Sequence, residues 1–351
     1  MTQLIAEIYV LDAKIAKTVD HHDVPRLMRQ SLVNYALSEE LKMTNEIEGI
    51  ASTRKEINEL LFVKEPHDYY RFYGLFNKYR QLQSHKKGDI HTAQDMRNLY
   101  DDTLVEDIKR SDSLNLPDGK IFRSNPVHVF NGNTSIHDGL MPEETIITTL
   151  DQSLAILNDT SLPLLYRVPL FHYLFGYIHP FYDGNGRLNR LISALYLSEE
   201  LNTLSVLQLS ISIKKHQHVY YDAFKQTNDI RNRSDLTSFV LSFLSIFKDG
   251  LQDLLDVIQE RILLYRHLAH TLDTIFQNDK QIELMQLLLQ VSLFNVIGLS
   301  MKDLEELTNN TRVTINTHLN SHDNPYLQIE KQGRQKFYSL NIDALMKSEE
   351  A

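Results

Sequence analysis

Residues suited to phosphate chemistry crowd into one stretch of this chain, His179-Pro180-Phe181-Tyr182-Asp183-Gly184-Asn185-Gly186-Arg187-Leu188-Asn189-Arg190. Gly184-Asn185-Gly186 predicts a tight turn, and residues 187–197 after it have the spacing and propensity of a helix. Unpaired N–H groups and the helix dipole at such a junction favour an anion. Arg187 and Arg190 are three residues apart, so both can donate to phosphate oxygens from one helical face. The stretch therefore predicts a polyphosphate site.

Two more residues of this stretch suit the same chemistry. Asp183 offers a hard carboxylate oxygen for a Mg²⁺ ion that bridges phosphates. His179 is the residue type that can take a proton from an incoming hydroxyl near neutral pH. The familiar phosphate loops do not fit, because there is no Walker pattern and Asn189 stands where a dinucleotide fingerprint needs its third glycine. Residues 170–178 also predict a helix, where those folds require a strand.

The composition excludes several other classes of protein. The 351 residues are 42% hydrophobic and 23% charged, as is typical of a globular protein. No apolar run approaches the roughly 20 residues that span a bilayer, and the N-terminus lacks the pattern of a signal peptide, so we expect no membrane partner. The absence of cysteine excludes disulfides and thiolate nucleophiles and favours a cytoplasmic location. A net charge of −10 repels nucleic acid, so any DNA contact must be local.

The remaining pattern predicts a mainly α fold with one small hairpin. Glycine and proline number only 12 and 9, and they cluster. Gly49, followed by Ala51-Ser52-Thr53, predicts the end of one helix and the cap of the next. Alternating apolar residues at Val127 to Phe130 lead into Asn131-Gly132, which is typical of a hairpin turn. We expect this hairpin to be a binding edge, with a plain surface loop as the alternative.

The stretch 179–190 resembles the signature of the Fic (filamentation induced by cAMP) family, His-Pro-Phe-x-Asp/Glu-Gly-Asn-Gly-Arg-x-x-Arg, at every fixed position. The broader resemblance runs from about residue 90 to 250. It implies a helical core that transfers AMP from ATP onto a Ser, Thr or Tyr hydroxyl of a target protein. The hairpin around 127–137 resembles the family's flap, which holds the target chain by main-chain pairing.

The resemblance also implies a role for each residue of the site. His179 would be the general base, Phe181 would be buried to fix the loop, and Asp183 would hold Mg²⁺. Gly184, Asn185 and Gly186 would bind the α- and β-phosphates, Arg187 and Arg190 the β- and γ-phosphates, and Tyr221 would lie near the nucleoside as a looser match. Kinase relatives commonly carry lysine at the position of Gly186, so glycine here favours nucleotidyl transfer. Transfer of UMP or phosphocholine stays open.

A second motif resembles the inhibitory pattern of the same family, Ser/Thr-x-x-x-Glu-Gly/Asn. It is Thr44-Asn45-Glu46-Ile47-Glu48-Gly49, and Thr44 and Glu48 share one face of a helix. The resemblance implies that Glu48 pairs with Arg190 and occupies the position of the γ-phosphate. Autoinhibition follows, and Glu48 could also orient a water for the reverse reaction, removal of AMP. A homodimer and self-modification are expected only by analogy.

The C-terminal residues have the outline of a winged helix-turn-helix. Helices are predicted over 282–294, 300–308 and 311–322, and residues 327–340 alternate around a glycine turn. Four basic residues against two acidic ones between 311 and 338 give a weak electrostatic match to DNA, so a protein partner is an equal alternative. His318 and His322 lack a third ligand for zinc. The second functional hypothesis is a DNA-binding regulator whose Fic site senses nucleotide or modifies the regulator itself.

We therefore expect four segments. They are an N-terminal helical region with the inhibitory helix (1–85), the Fic catalytic core (86–250), a connecting helix (251–280) and the winged-helix-like domain (281–345).

Overall fold

The computed structural model describes residues 1–61, 70–82, 89–131, 134–294, 297–320, 324–332 and 335–348. Helices dominate these residues, and the strands are few and short, which confirms the predicted mainly α fold. None of the described helices combines the length and apolarity that crossing a bilayer requires.

Chain contacts divide the molecule into two compact units, which group the residues differently from the four predicted segments. One unit comprises Met1–Ile15 and Ala36–Leu254, and the other comprises Ala16–Tyr35 and Leu255–Ala351. Three helices have residues in both units: α1 (Thr2–Val19), α2 (Arg26–Ile47) and α13 (Thr237–Ile275). The other helices of the first unit are α3 (Arg54–Leu60), α4 (Tyr73–Gln81), α5 (Ala93–Thr103), α6 (Val105–Asp112), α7 (Glu143–Asn158), α8 (Leu164–Ile178), α9 (Asn185–Leu197), α10 (Thr203–Val206), α11 (Leu209–Lys215) and α12 (Gln217–Asn228).

Helix α8 is the central helix of the first unit. It packs against α7 on one side and α9 on the other. Its sequence is apolar around nearly the whole circumference, as expected of a helix that is buried on all sides. The loop after α8 carries Phe181, which is fully buried and stacks on Tyr100 with ring centroids 3.8 Å apart. Phe122 packs edge-on against the ring of Phe181. The aromatic packing anchors the loop that holds the signature, as predicted for Phe181.

The predicted hairpin is present beside the end of α8. Strands β1 (His128–Asn131) and β2 (Thr134–Asp138) pair antiparallel, with a bulge between Val129 and Phe130. Gly132 of the predicted turn lies outside the described residues. The extra residue at a bulge bends and twists a strand locally.

Helix α13 runs through the predicted boundary at residue 250 without a break. Gly250 does not end the helix, because its hydrogen takes the place of a side chain at a close contact. A Cβ at this position would lie 1.7 Å from Ser212 Oγ of α11. Here glycine serves close packing rather than termination, which its residue type alone does not reveal.

The second unit contains the predicted C-terminal helices and ribbon. They are α14 (Asp279–Ser292), α15 (Met301–Thr308) and α16 (Arg312–Asn320), with strands β4 (Leu327–Gln332) and β5 (Gln335–Leu340). Two elements were not predicted, strand β3 (Leu299–Ser300), which joins β5 to give the order β3-β5-β4, and helix α17 (Ile342–Lys347). His322 and Arg334 lie outside the described residues. The assignment to winged helices and the DNA contact remain predictions.

Candidate active site

The signature lies where α8 ends and α9 begins. His179 caps α8 in the left-handed conformation, with φ of 50°, and Gly184 caps α9 with φ of 85°. Asn185 and Gly186 are already helical, so the predicted turn over Gly184-Asn185-Gly186 is shorter than expected. The first N–H groups of α9 therefore face the loop without helical acceptors, as an anion site requires.

The side chain of Asn185 bonds the backbone of the loop and is not available to bind phosphate. Its Oδ1 accepts a hydrogen bond from Phe181 N at 3.0 Å, and its Nδ2 donates to Phe181 O at 2.8 Å. Both ends of the side-chain amide are thus used to hold the loop. Only the backbone N–H of Asn185 remains for an anion.

Arg187 and Asp183 form an ion pair beside the start of α9. Arg187 is buried, and its Nη2 lies 3.5 Å from Asp183 Oδ1. Its Nε has no hydrogen-bond partner among the described residues. Buried polar groups are normally paired, so this orphaned donor fits a ligand rich in oxygen such as a polyphosphate. Asp183 Oδ1 also accepts from Gly184 N, and its side chain is one-third exposed, which suits a cation ligand.

Helix α2 brings the second motif onto Arg190. The guanidinium is 1% exposed; its Nε donates to Thr44 Oγ1 and its Nη2 to Thr44 O, both at 2.8 Å. The same Nη2 forms an ion pair with Glu48 Oε1 at 2.8 Å. The contact between Glu48 and Arg190 that the resemblance implies is therefore present. Burial alone would lower the pKa of Arg190, but the Glu48 carboxylate raises it above its usual value.

Two glycines make this contact possible. Gly49 follows the end of α2 with φ of 71°, and Ile50 N closes the helix by donating to Asn45 O. Gly186 leaves room for the carboxylate, since a Cβ there would lie 2.0 Å from Glu48 Oε1. The second glycine of the signature is therefore needed for the contact with Glu48, whatever its role towards a phosphate.

His179 is placed to act as a base beside these groups. Burial lowers the pKa of His179 to about 4, while the Glu48 carboxylate opposes the shift and the Arg123 cation adds to it. The ring is therefore neutral at physiological pH and can accept a proton. A general base needs this form when the reaction starts.

An open cleft extends from these residues between α9, α12 and the hairpin. Its lining includes Glu48, His179, Gly186 and Arg190, together with His128 and His137 from the hairpin and Tyr220, Tyr221 and Phe224 from α12. Tyr221, the loosest of the matches, thus lies in the same cleft. Tyr220 is held from behind by His172, a buried residue that the sequence did not single out, at 2.7 Å from the hydroxyl.

Sequence reasoning also missed Glu40, which anchors α2. The carboxylate is fully buried; it accepts from Ser210 N at 2.7 Å, from Ser210 Oγ at 2.6 Å and from Tyr79 OH at 3.3 Å. Burial raises the pKa of Glu40 to about 7. Glu40, Thr44 and Glu48 are spaced by four, so one stripe of α2, continued into the turn after it, makes all three contacts. The clue available in the sequence was that Glu40 is an acidic residue on the buried stripe of the helix and not on its exposed side.

A second group of possible metal ligands lies elsewhere. His21, His22 and Asp23 have ligand atoms within 4.8 Å of one another, but all three side chains are exposed. Asp23 also pairs with Arg266 at 3.3 Å. Competition from this cation and from water disfavours a metal ion at these three residues.

Replacing Glu40 with alanine is expected to destabilise the protein by about 2–3 kcal/mol, because Ser210 and Tyr79 would be left as buried donors without an acceptor. The matched control is Glu46→Ala, also on α2, where the partly exposed carboxylate pairs with the partly exposed Lys42 at 3.3 Å. That pair should contribute no more than about 1 kcal/mol. Urea unfolding of both variants measures the difference, and equal stabilities would contradict the anchoring role of Glu40.

Comparison with known proteins finds a family match for part of this chain. Residues 90–197 match the Fic/DOC family. A Fic family protein from Desulfovibrio desulfuricans G20 is similar in structure, with 19% identity and a TM-score of 0.57, over 97% of this chain and 95% of that chain. A Fic domain containing signaling protein from Bacteroides thetaiotaomicron VPI-5482 is 20% identical with a TM-score of 0.48, over 72% of this chain and 96% of that chain.

The family match and the site agree on one region of the chain. The matched residues contain the loop from His179 to Arg190 and the hairpin beside it. The similarity to the Desulfovibrio structure supports the helical fold. Proteins with a Fic domain typically transfer nucleotide-derived groups onto other proteins. Residues 90–197 of the chain are therefore identified as a domain that matches the Fic/DOC family.

Proposed function

We propose that this chain is a protein adenylyltransferase that transfers AMP from ATP to a hydroxyl side chain of a target protein and is held inactive by Glu48. The observation that carries the proposal is the pairing of Arg190 with α2. Thr44 and Glu48 occupy Nε and Nη2 of this buried guanidinium. A γ-phosphate would have to displace the Glu48 carboxylate to use the same donors.

The proposed reaction follows from the neutral base and the anion site. The oxygen of the target hydroxyl attacks the α-phosphorus, and its proton passes to the ring of His179. The bond from the α-phosphorus to the bridging oxygen breaks, and pyrophosphate leaves. Positioning and charge neutralisation supply most of the catalysis in such transfers. The N–H groups at the start of α9, with Arg187 and Arg190, would neutralise the phosphates.

Magnesium and the target chain complete the proposal. Asp183 would hold Mg²⁺, which neutralises phosphate charge when bound; the exposed part of its carboxylate fits this role. The hairpin would hold the target. A sheet of two strands has open edges, along which an extended chain can pair through main-chain hydrogen bonds. Such pairing would bring the hydroxyl of the target towards His179.

The first test follows the label from ATP. Wild type, Glu48→Gly and Glu48→Gly/His179→Ala are incubated with Mg²⁺ and ATP labelled at the α- or the γ-phosphate, in the presence of a lysate that supplies targets. Label from α-ATP alone should be weak with wild type, at least about tenfold stronger with Glu48→Gly and absent from the double variant.

Each other outcome of this test has its own meaning. Protein labelled from γ-ATP would indicate phosphate transfer and contradict the proposal. Labelling only from α-labelled UTP would replace adenylylation with uridylylation. Glu48→Ala serves as a second release variant, because the glycine substitution also loosens the end of α2. If wild type removes AMP from a modified target and the Glu48 variants do not, Glu48 also serves the reverse reaction.

The pH dependence gives a second test. The pKa of His179 is lowered to about 4, so the base is neutral above that pH and becomes protonated only below it. Loss of Glu48 removes an influence that raises this pKa. We therefore expect the transfer rate of Glu48→Gly at saturating Mg²⁺ and ATP to stay within about twofold between pH 8 and pH 6. An acid limb with a midpoint near the ordinary histidine value, about 6.5, would contradict the assignment.

A further inference from the structure

Arg123 is a fully buried cation whose role is not explained by the family motif. Its Nε donates to His179 O at 2.9 Å, its Nη1 to Asn125 O at 2.8 Å and its Nη2 to Leu140 O at 2.8 Å. No carboxylate pairs with Arg123 among the residues described. A buried cation without an ion-pair partner is costly, so these carbonyls must supply its stabilisation.

The contacts of Arg123 belong to a larger arrangement at the end of α8. The last carbonyls of a helix have no partner within the helix. Here they are met by the hairpin and by the segment that contains Arg123: His137 Nε2 contacts Tyr177 O at 2.7 Å, Leu140 N donates to Ile178 O at 3.1 Å, and Arg123 N donates to Pro180 O at 3.3 Å. The positive guanidinium also lies at the negative end of the α8 dipole.

Close packing leaves little room for the guanidinium of Arg123 to take another position. A Cβ at Gly139 would lie 2.5 Å from Arg123 Nη2 and 3.2 Å from His179 Cβ. Gly139 directly follows strand β2 and belongs to the base of the hairpin, where its N–H donates to Val127 O at 3.0 Å. The guanidinium is therefore enclosed between the base of the hairpin and the backbone of His179.

We propose that Arg123 is a positioning residue for the transfer reaction: it ties the base of the hairpin to the end of α8 and fixes His179 in its left-handed conformation. The inference rests on the proposed function, because it concerns the alignment of the target with the base. The hairpin is the proposed holder of the target chain and His179 is the proposed base. One side chain bonded to both keeps the distance between them constant. Alignment errors of about 1 Å can cost a factor of 10² in rate.

The test compares Arg123→Met and Arg123→Lys in the Glu48→Gly background. We expect Arg123→Met to lower kcat for protein labelling by about 10²-fold, while the Kd for Mg²⁺-ATP changes by less than about threefold, because Arg123 contacts no group of the anion site. Lysine keeps the charge and three donors, so Arg123→Lys should recover part of kcat. A merely structural role predicts no such separation of kcat from ATP binding.

Arg167→Met is the matched control. Arg167 is also a buried arginine, and it lies on α8 itself. It donates to Leu157 O at 2.7 Å and pairs with Glu199 at 3.0 Å, away from the signature loop. Its loss should destabilise the protein without changing kcat below the melting temperature. If Arg123→Met does not fold, Gly139→Ala serves as a second variant. The added methyl group would push the guanidinium of Arg123 out of place without removing it, and kcat should fall by about tenfold. Unchanged kcat in the folded Arg123→Met or Gly139→Ala variant, or an equal loss in Arg167→Met, would overturn the proposal.

Hydrogen exchange separates this inference from the proposed function. The amide of Leu140 is bonded to Ile178 O at the point that Arg123 ties together. Its exchange should accelerate by at least about tenfold in Arg123→Met and remain near the parent rate in Arg167→Met. If the Glu48→Gly parent transfers no label, the proposed function fails, yet this exchange still decides whether Arg123 ties the hairpin to α8. Equal protection in Arg123→Met and the parent would refute the positioning role.

Discussion

The buried guanidinium of Arg190 constrains the rest of the catalytic unit. A cation at 1% exposure must have acceptors, because an unpaired buried charge would cost several kcal/mol. Thr44 near the end of α2 and Glu48 just after it supply them, and this requires the end of α2 to keep one register beside Arg190 of α9. Glu40 holds that register from the other end of the stripe, through Ser210. Gly186 leaves the space that the carboxylate fills. The proposed inhibition and the packing therefore depend on the same contacts.

The second constraint is the meeting of two helix ends. The chain reverses between His179 and Gly184, so the carbonyl end of α8 and the N–H end of α9 face the same loop. The N–H end attracts an anion, and the carbonyl end attracts donors. The donors at the carbonyl end of α8 and the loop after it are Arg123, the His137 ring of the hairpin and the N–H of Leu140 just after the hairpin. In the proposed reaction, the loop therefore separates a phosphate side from a target side, with His179 between them.

Much of this could be predicted from the sequence, because the informative residues lie close together along the chain. The loop from His179 to Arg190, the turn at Asn131 and the helix end at Gly49 are local patterns with local physical causes. The pairing of Glu48 with Arg190 is distant in sequence and was accessible only through the resemblance of two motifs. Glu40 and Arg123 carry no local pattern, since their partners are backbone groups and hydroxyls far along the chain. The close contact of Gly250 with Ser212 likewise has no local pattern in the sequence.

Binding of ATP and ADP to wild type and Glu48→Gly, measured by calorimetry with Mg²⁺, tests the central claim most directly. If Glu48 occupies the place of the γ-phosphate on Arg190, its removal should raise the affinity for ATP by at least about tenfold and leave the affinity for ADP nearly unchanged, since ADP lacks that phosphate. An equal gain for both nucleotides, or none for ATP, would contradict the claim that the pairing of Glu48 with Arg190 restrains this enzyme.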